Sequence, residues 1–175
     1  MSFDIVVAHD LKNGIGKNNQ MPWHCKPDLK YFKDLTTQAE NNHENTVIMG
    51  RKTWESLPDQ YRPLPNRNNV VVSKTQSNFE GAIAVASFAD ALIDANKKHG
   101  RVFVIGGGQL YKEALVHPEL NTVHVTQIFR TFDCDTQFPE YKSAFKCVYA
   151  SNIRVLPDLN CAFFKFKRVG SLQSF

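Results

Sequence analysis

Residues 101–116, RVFVIGGGQLYKEALV, read as one unit of three parts. Arg101 to Ile105 is a run of β-branched and aromatic residues with the length of a buried strand. Gly106, Gly107 and Gly108 form a tight turn, and a helix follows from Gln109 to Val116. Strand, glycines and helix in that order belong to a parallel sheet covered on both faces. The first N–H groups of such a helix, with its dipole, can hold phosphate oxygens, and glycine lets a ligand approach the backbone. The same glycines can equally be a turn and nothing more. The dinucleotide fingerprint is not met, because Tyr111 holds the third glycine position and no acid follows about 20 residues later. No Gly-Lys-Ser/Thr follows either, so this is not a P-loop.

Outward from this unit, strands and helices alternate. Phe3–His9 (FDIVVAH) is a near-continuous apolar strand, and 10–20 (DLKNGIGKNNQ) is a loop rich in Gly and Asn. A helix runs from about Pro27 to Thr36, with proline in its first turn. The polar stretch 38–45 is an exposed excursion. Thr46–Met49 is a short strand that Gly50 turns into a short helix through Trp54 and Leu57. A proline loop spans 58–68, Asn69–Ser73 is a strand, and Ala82–Ala86 is another. Ser87 caps a helix to about Lys98. Thr122–Phe129 is a strand, and Phe145–Ile153 with Asn160–Lys167 form an antiparallel hairpin around Leu156-Pro157-Asp158. Val169 to Phe175 is a frayed tail. The expected architecture is α/β, a mostly parallel sheet of about eight strands with helices on both faces and an antiparallel end.

The chain has 175 residues, 21 Lys+Arg against 17 Asp+Glu, and a formal charge of +4. That length is one domain. The charge is mild, suited to small anions and too diffuse for nucleic acid. No apolar run matches a membrane span, and the start MSFD lacks a secretory signal, so a cytoplasmic location is expected. The four cysteines, Cys25, Cys134, Cys147 and Cys161, are scattered without a C-x-x-C pair. No metal site and no disulfide framework are expected.

Two further features carry chemistry. Val47–Ser56 (VIMGRKTWES) puts Arg51, Lys52 and Thr53 at a helix start, where cations oppose the helix dipole and an anion would reward them. Ser73 and Lys74 end another strand with a hydroxyl and a cation, and ligands of open α/β sheets bind at such strand ends. The second feature is Asp28, which shares a helix face with Phe32 and Leu35 at i, i+4 and i+7. An acid on an apolar stripe either complements the helix dipole or is buried, with its pKa raised, to manage a proton.

The chain resembles dihydrofolate reductase of the bacterial type from Phe3 to about Arg168. The resemblance rests on Met21-Pro22-Trp23 followed by Pro27-Asp28-Leu29, on VIMGRKTWESL (47–57), on RPLPNR (62–67), on VIGGGQLY (104–111) and on DTQFP (135–139). It implies hydride transfer from NADPH to dihydrofolate, giving tetrahydrofolate, in a single domain whose adenosine-binding part spans roughly 46–100. It implies that Asp28 binds the pterin and promotes protonation at N5 through water, with Thr126 bonded to its carboxylate and Trp23 holding the water. Val6, Val7, Leu29, Phe32, Leu57 and Ile105 would line the substrate pocket, and Arg67 would clamp the glutamate carboxylate. Ala8, Ile15, Gly16 and Ile105 would meet the nicotinamide, with Tyr111 nearby. Gly50, Thr53, Gly106, Gly107, Gly108, Gln109 and Leu110 would serve the pyrophosphate region. Arg51, Lys52, Ser73 and Lys74 would surround the 2′-phosphate. Residues 14–24 would be a mobile lid, and the peptide between Gly106 and Gly107 would be cis. Antifolate inhibitors would share the substrate site, and a monomer is the family's usual state. From the length, no fused thymidylate synthase is expected. A same-fold reductase of flavin synthesis and a non-catalytic folate- or nucleotide-binding protein are the competing readings. Asp28, Trp23 and Arg67 together argue against the first, and the retained acid and glycines argue against the second.

Overall fold

The computed structural model describes residues 1–170. In chain order the elements are β1 (Phe3–His9), β2 (Gly14–Gly16), α1 (Lys26–Thr37), β3 (Thr46–Gly50), α2 (Arg51–Ser56), β4 (Asn68–Val72), β5 (Ile83–Val85) and α3 (Phe88–Asn96). Then come β6 (Val102–Gly106), α4 (Gly108–Leu115), β7 (Leu120–Ile128), β8 (Thr136–Gln137), β9 (Phe145–Ala150), β10 (Arg154–Val155) and β11 (Asn160–Arg168). One 3-10 turn, Asp59–Tyr61, interrupts the proline loop.

The main sheet has nine strands in the order β10-β11-β7-β1-β6-β3-β4-β5, with β9 pairing β11 from outside that path. β1, β3, β4, β5, β6 and β7 run parallel, and β11 joins β7 antiparallel. Successive residues of the apolar strands serve opposite faces. Ile5, Val7, Ile48, Val70, Val102 and Val104 pack against Phe88, Leu92, Leu110 and Leu115 of α3 and α4. Val6, Val47, Met49, Val71 and Phe103 pack on the other face with Trp54, Phe32 and Leu35 of α2 and α1. Parallel strands buried on both sides need an apolar residue at every position, which is why these strands are legible as unbroken apolar runs. Among the described residues no helix is long and apolar enough to cross a membrane.

Three strands lie where loop was expected. β2 and β8 pair antiparallel as a separate two-stranded sheet, and β10 forms the edge beside β11. Each has two or three residues, too few to show a period. The Asn and Gly content of 10–20 therefore marks turns. Asn13, Asn18 and Asn19 have φ of 60°, 49° and 60°, the left-handed region that asparagine tolerates best after glycine. Asn66, just before Arg67, likewise sits at φ 59°. Ser87 caps α3 as expected, accepting from the Asp90 N–H at 3.1 Å. The expected tail lies outside the described residues except for Val169 and Gly170, where the Val169 N–H reaches the Ala144 carbonyl at 2.9 Å.

The excursion at 38–44 is exposed, but Asn45 at its end is fully buried. Its Nδ2 donates to the carbonyls of Thr36 and Gln38, both at 3.0 Å, and its Oδ1 accepts from the Arg101 N–H at 3.0 Å. One amide thus ties the end of α1 to the start of β6. Replacing Asn45 with Ala strands buried backbone groups, and urea unfolding should show a loss of about 2 to 3 kcal/mol with an unchanged m-value. A loss below about 0.5 kcal/mol would mean that water replaces the amide without cost.

Candidate active site

The carboxyl ends of β1 and β6 lie side by side, and α1, α2, α4 and the loop around β2 rise around them. Together they enclose a cavity of about 330 Å³, within the usual range for small-molecule sites. Its floor is Val6, Val7 and Ala8 from β1 with Ile105 and Gly106 from β6. α1 contributes Asp28, Leu29 and Phe32, and α2 contributes Lys52, Thr53 and Ser56, with Leu57 just after it. The glycine turn adds Gly107 and Gly108, with Tyr111 beyond it, and the loop adds Ile15 and Gly16. These were all expected from the sequence except Ser56. Asn19, Gln20, Met21 and Thr136 also line the cavity and were not singled out as site residues. Ser56 follows Thr53 at i+3 and Thr136 lies inside DTQFP, so both carried a signal.

Asp28 is the sole acid on this wall among the described residues, with 8% of its surface exposed. Burial pushes its carboxyl up to about 6, opposed by a hydrogen bond with Thr126. No cation contributes. A dipole-complementing acid would be solvated at the helix start, whereas this one is enclosed by α1 and β7. The Thr126 hydroxyl comes from β7, where Thr126 pairs with Ala8 of β1. Trp23 is outside the cavity wall, packed with Cys25, Ile128 and Phe163 and tilted against Phe132 at 5.3 Å. Its indole N–H is buried without a protein partner among the described residues. A buried donor of that kind calls for a water or ligand acceptor.

The glycine turn closes the other side. The Gly106–Gly107 peptide is cis, as the resemblance implied, and Gly106 has φ 134°, a conformation that excludes other residues. A Cβ on Gly106 or Gly107 would stand 3.2 or 3.4 Å from Thr53 Oγ1, and one on Gly108 would stand 3.0 Å from Thr136 Cγ2. The bare backbone therefore keeps open the space between α2, α4 and β8. The N–H groups of α4 and the Thr53 hydroxyl beside that space could hold phosphate oxygens. Gly50 caps α2 directly against this turn, where a Cβ would meet Gly107 N at 3.7 Å.

Several expected residues lie outside the cavity wall. Leu110 is packed in the core under the sheet, and Gln109 is not among the lining residues. Arg51 pairs with Glu55 at 3.0 Å, so its place at the helix start is partly explained within the helix. Ser73 and Lys74 follow β4, where the Ser73 hydroxyl accepts from the Gln76 N–H at 3.0 Å. Arg67 is buried, donating from Nε to the Pro65 carbonyl at 2.9 Å and from Nη1 to Thr36 Oγ1 at 3.0 Å. Its guanidinium lies 5.8 Å from the centre of the Phe32 ring. Burial lowers its pKa and no carboxylate offsets that. A buried guanidinium without an anion is costly unless a ligand supplies one.

Several contacts join the expected lid at 14–24 to its surroundings. β2 pairs with β8, the Asn18 N–H reaches Asp135 at 2.9 Å, and Asn19 Nδ2 donates to the Lys52 carbonyl at 2.8 Å. The last contact carries the loop across the cavity to α2.

The raised carboxyl of Asp28 has a consequence for stability. Folded, it holds its proton up to about 6, against 3.8 for the ordinary group. Stability is therefore lost as pH rises from about 4 through 6, and the cost persists above. Asp28→Asn should stabilise the protein at pH 8 by on the order of 2 to 3 kcal/mol, with the gain vanishing below about pH 4. Urea melts across this range check it, and a gain independent of pH would contradict the burial account.

Comparison with known proteins agrees with this geometry. The family described as dihydrofolate reductase matches residues 2–168. The chain is 39% identical over 181 residues to bifunctional dihydrofolate reductase-thymidylate synthase 1 of Arabidopsis thaliana, covering 97% of this chain and 35% of that protein. It thus spans about a third of the length of that relative. It is 41% identical over 149 residues to dihydrofolate reductase of Schistosoma mansoni, covering 80% of this chain and 79% of that protein. Against dihydrofolate reductase of Pneumocystis carinii it is 38% identical over 152 residues, covering 79% and 74%. With the match running through every wall of the cavity, the chain belongs to the dihydrofolate reductase family.

Proposed function

We propose that the protein reduces 7,8-dihydrofolate to 5,6,7,8-tetrahydrofolate with NADPH. The observation that carries this is Asp28, a buried lone acid in a cavity that the glycine turn also lines. NADPH supplies the hydride, and the protein supplies orientation, a dry pocket and a route for one proton.

The carboxylate of Asp28 accepts hydrogen bonds from the pterin amino group and the adjacent ring nitrogen. At neutral pH a group titrating near 6 is mostly ionised. It therefore acts by holding the pterin and steering protonation at N5 through water, not by direct donation. The unsatisfied Trp23 N–H is a candidate holder for that water. Val6, Val7, Leu29, Phe32, Leu57 and Ile105 enclose the rings, and Arg67 receives the glutamate carboxylate in a bidentate fork. Antifolates would occupy the same volume. Ala8, Ile15, Gly16 and Tyr111 border the nicotinamide side, with Gly107, Gly108 and Thr53 around the pyrophosphate. Lys52, Ser73, Lys74 and the flank of Arg51 supply the charge that a 2′-phosphate needs. The stretch 46–100, from β3 to the end of α3, would form the adenosine-binding part.

Loss of NADPH absorbance on adding dihydrofolate, blocked by an antifolate, tests the proposal. No oxidation would leave a binding protein. Asp28→Asn should bind NADPH normally and lose about a hundredfold or more in turnover at pH 7; near-normal turnover would remove its role. Arg67→Leu should raise the KM for dihydrofolate about tenfold or more without changing NADPH affinity. Unchanged substrate KM would count against the carboxylate clamp.

A further inference from the structure

Asp10 follows β1 and has 1% of its surface exposed, yet it faces no cation. Its charge is met by N–H groups instead. Oδ1 accepts from the backbone of Lys12 at 2.8 Å and of Gly14 at 2.7 Å. Oδ2 accepts from the backbone of Phe132 at 2.9 Å, with the Cys134 thiol at 3.8 Å. Burial acts to raise this carboxyl, but those N–H bonds outweigh it and hold the pKa below the ordinary value. Hydrogen bonds to an ionised carboxylate are about twice as strong as neutral ones.

These partners belong to two separate segments. Lys12 and Gly14 open the loop that carries Ile15 and Gly16 into the cavity wall. Phe132 and Cys134 open the segment that leads into β8 and Thr136. The contact is close, since a Cβ on Gly14 would stand 2.5 Å from Cys134 Sγ and 2.9 Å from Asp10 Oδ2. Neighbouring backbone bonds run the same way, from Leu11 N to Arg130 O at 3.1 Å, from Phe138 N to Asn13 O at 2.7 Å and from Asp135 N to Gly16 O at 2.9 Å. His9, one residue earlier, secures the far end of the same segment through Tyr141 Oη at 2.9 Å. Asp10 is a buried side chain whose two oxygens divide between the two segments, with Oδ1 on the loop and Oδ2 on the Phe132 side.

We propose that Asp10 is a positioning residue. It locks β2 to the 130–135 segment and so holds Ile15 and Gly16 against the bound cofactor. The cofactor half of this statement rests on the NADPH reading above. The locking half concerns the protein alone.

Two variants separate these roles. In Asp10→Asn, whichever way the amide turns, one side sets donor against donor. In Asp10→Ser the hydroxyl can still accept from Lys12 or Gly14 but cannot reach Phe132. Amide exchange on the free protein should accelerate about tenfold or more at Gly14, Gly16 and Phe132 in both variants, with β3 and β6 unchanged. With NADPH and dihydrofolate, the KM for NADPH should rise about fivefold or more, while that for dihydrofolate stays within about twofold. Cys134→Ser should leave both readings at wild-type values. Exchange that accelerates evenly over the whole sheet would reduce Asp10 to a stability role, and unchanged exchange would overturn the lock. Accelerated exchange with an unchanged NADPH KM would overturn the positioning role. If the wild-type protein does not oxidise NADPH, the proposed function fails while the exchange result still stands on its own.

Discussion

β1 pairs in parallel with β6 at Asp4 and Ile5 and with β7 as far as His9, so its carboxyl end is held by β7 while its β6 edge opens into the cavity. Everything at the site is referred to that end. The Val6 carbonyl receives the Tyr111 hydroxyl at 2.8 Å, which ties the helix after the glycine turn to the cavity floor. Ala8 pairs with Thr126, which brings the hydroxyl of β7 to Asp28. His9 and Asp10 then hold the segments that frame the remaining wall. The end of β1 is thus the common anchor through which groups from α1, β7, α4 and the β2 loop are placed around the cavity.

Against this frame the protein keeps two charges in unfavourable places. Asp28 is buried with no cation lowering its pKa, and Arg67 is buried with no carboxylate raising its own. Both cost stability while the site is empty, and each is relieved by a ligand that brings the complementary group. In the proposed function, folate would bring an amino-pterin to the first and a carboxylate to the second. Asp10 shows the contrasting solution. It is as inaccessible as Asp28, but backbone N–H groups satisfy it, so it can fasten loops without needing a ligand. The two aspartates differ in pKa direction because deep enclosure dominates at Asp28, whereas three backbone N–H bonds dominate at Asp10.

The larger elements were legible because each strand buried on both faces spells a continuous apolar run, and β1 matches its expected span residue for residue. α1 and α4 shift by about one residue at their starts, as helix ends generally do. The glycine turn and the oddly placed Asp28 marked the cavity. Arg67 could not be found by pattern, since an arginine in a proline loop reads as surface charge until Thr36 and Phe32 enclose it. The short strands β2, β8 and β10 were invisible because two or three residues have no periodicity, and β2 and β8 also pair across a long stretch of sequence. The Asp10 clamp was hidden for the same reason, because its Phe132 partner is a backbone N–H 122 positions away.

The central claim is that Asp28 is ionised at rest yet raised by burial, and its own titration tests that most directly. Carboxyl carbon NMR of protein labelled at aspartate, with Asp28→Asn for assignment, would follow the group from pH 3 to pH 8. A midpoint close to 6 in the free protein is the expected result. A midpoint near the ordinary value of 3.8 would contradict the account, because it would mean that the cavity leaves this carboxylate solvated.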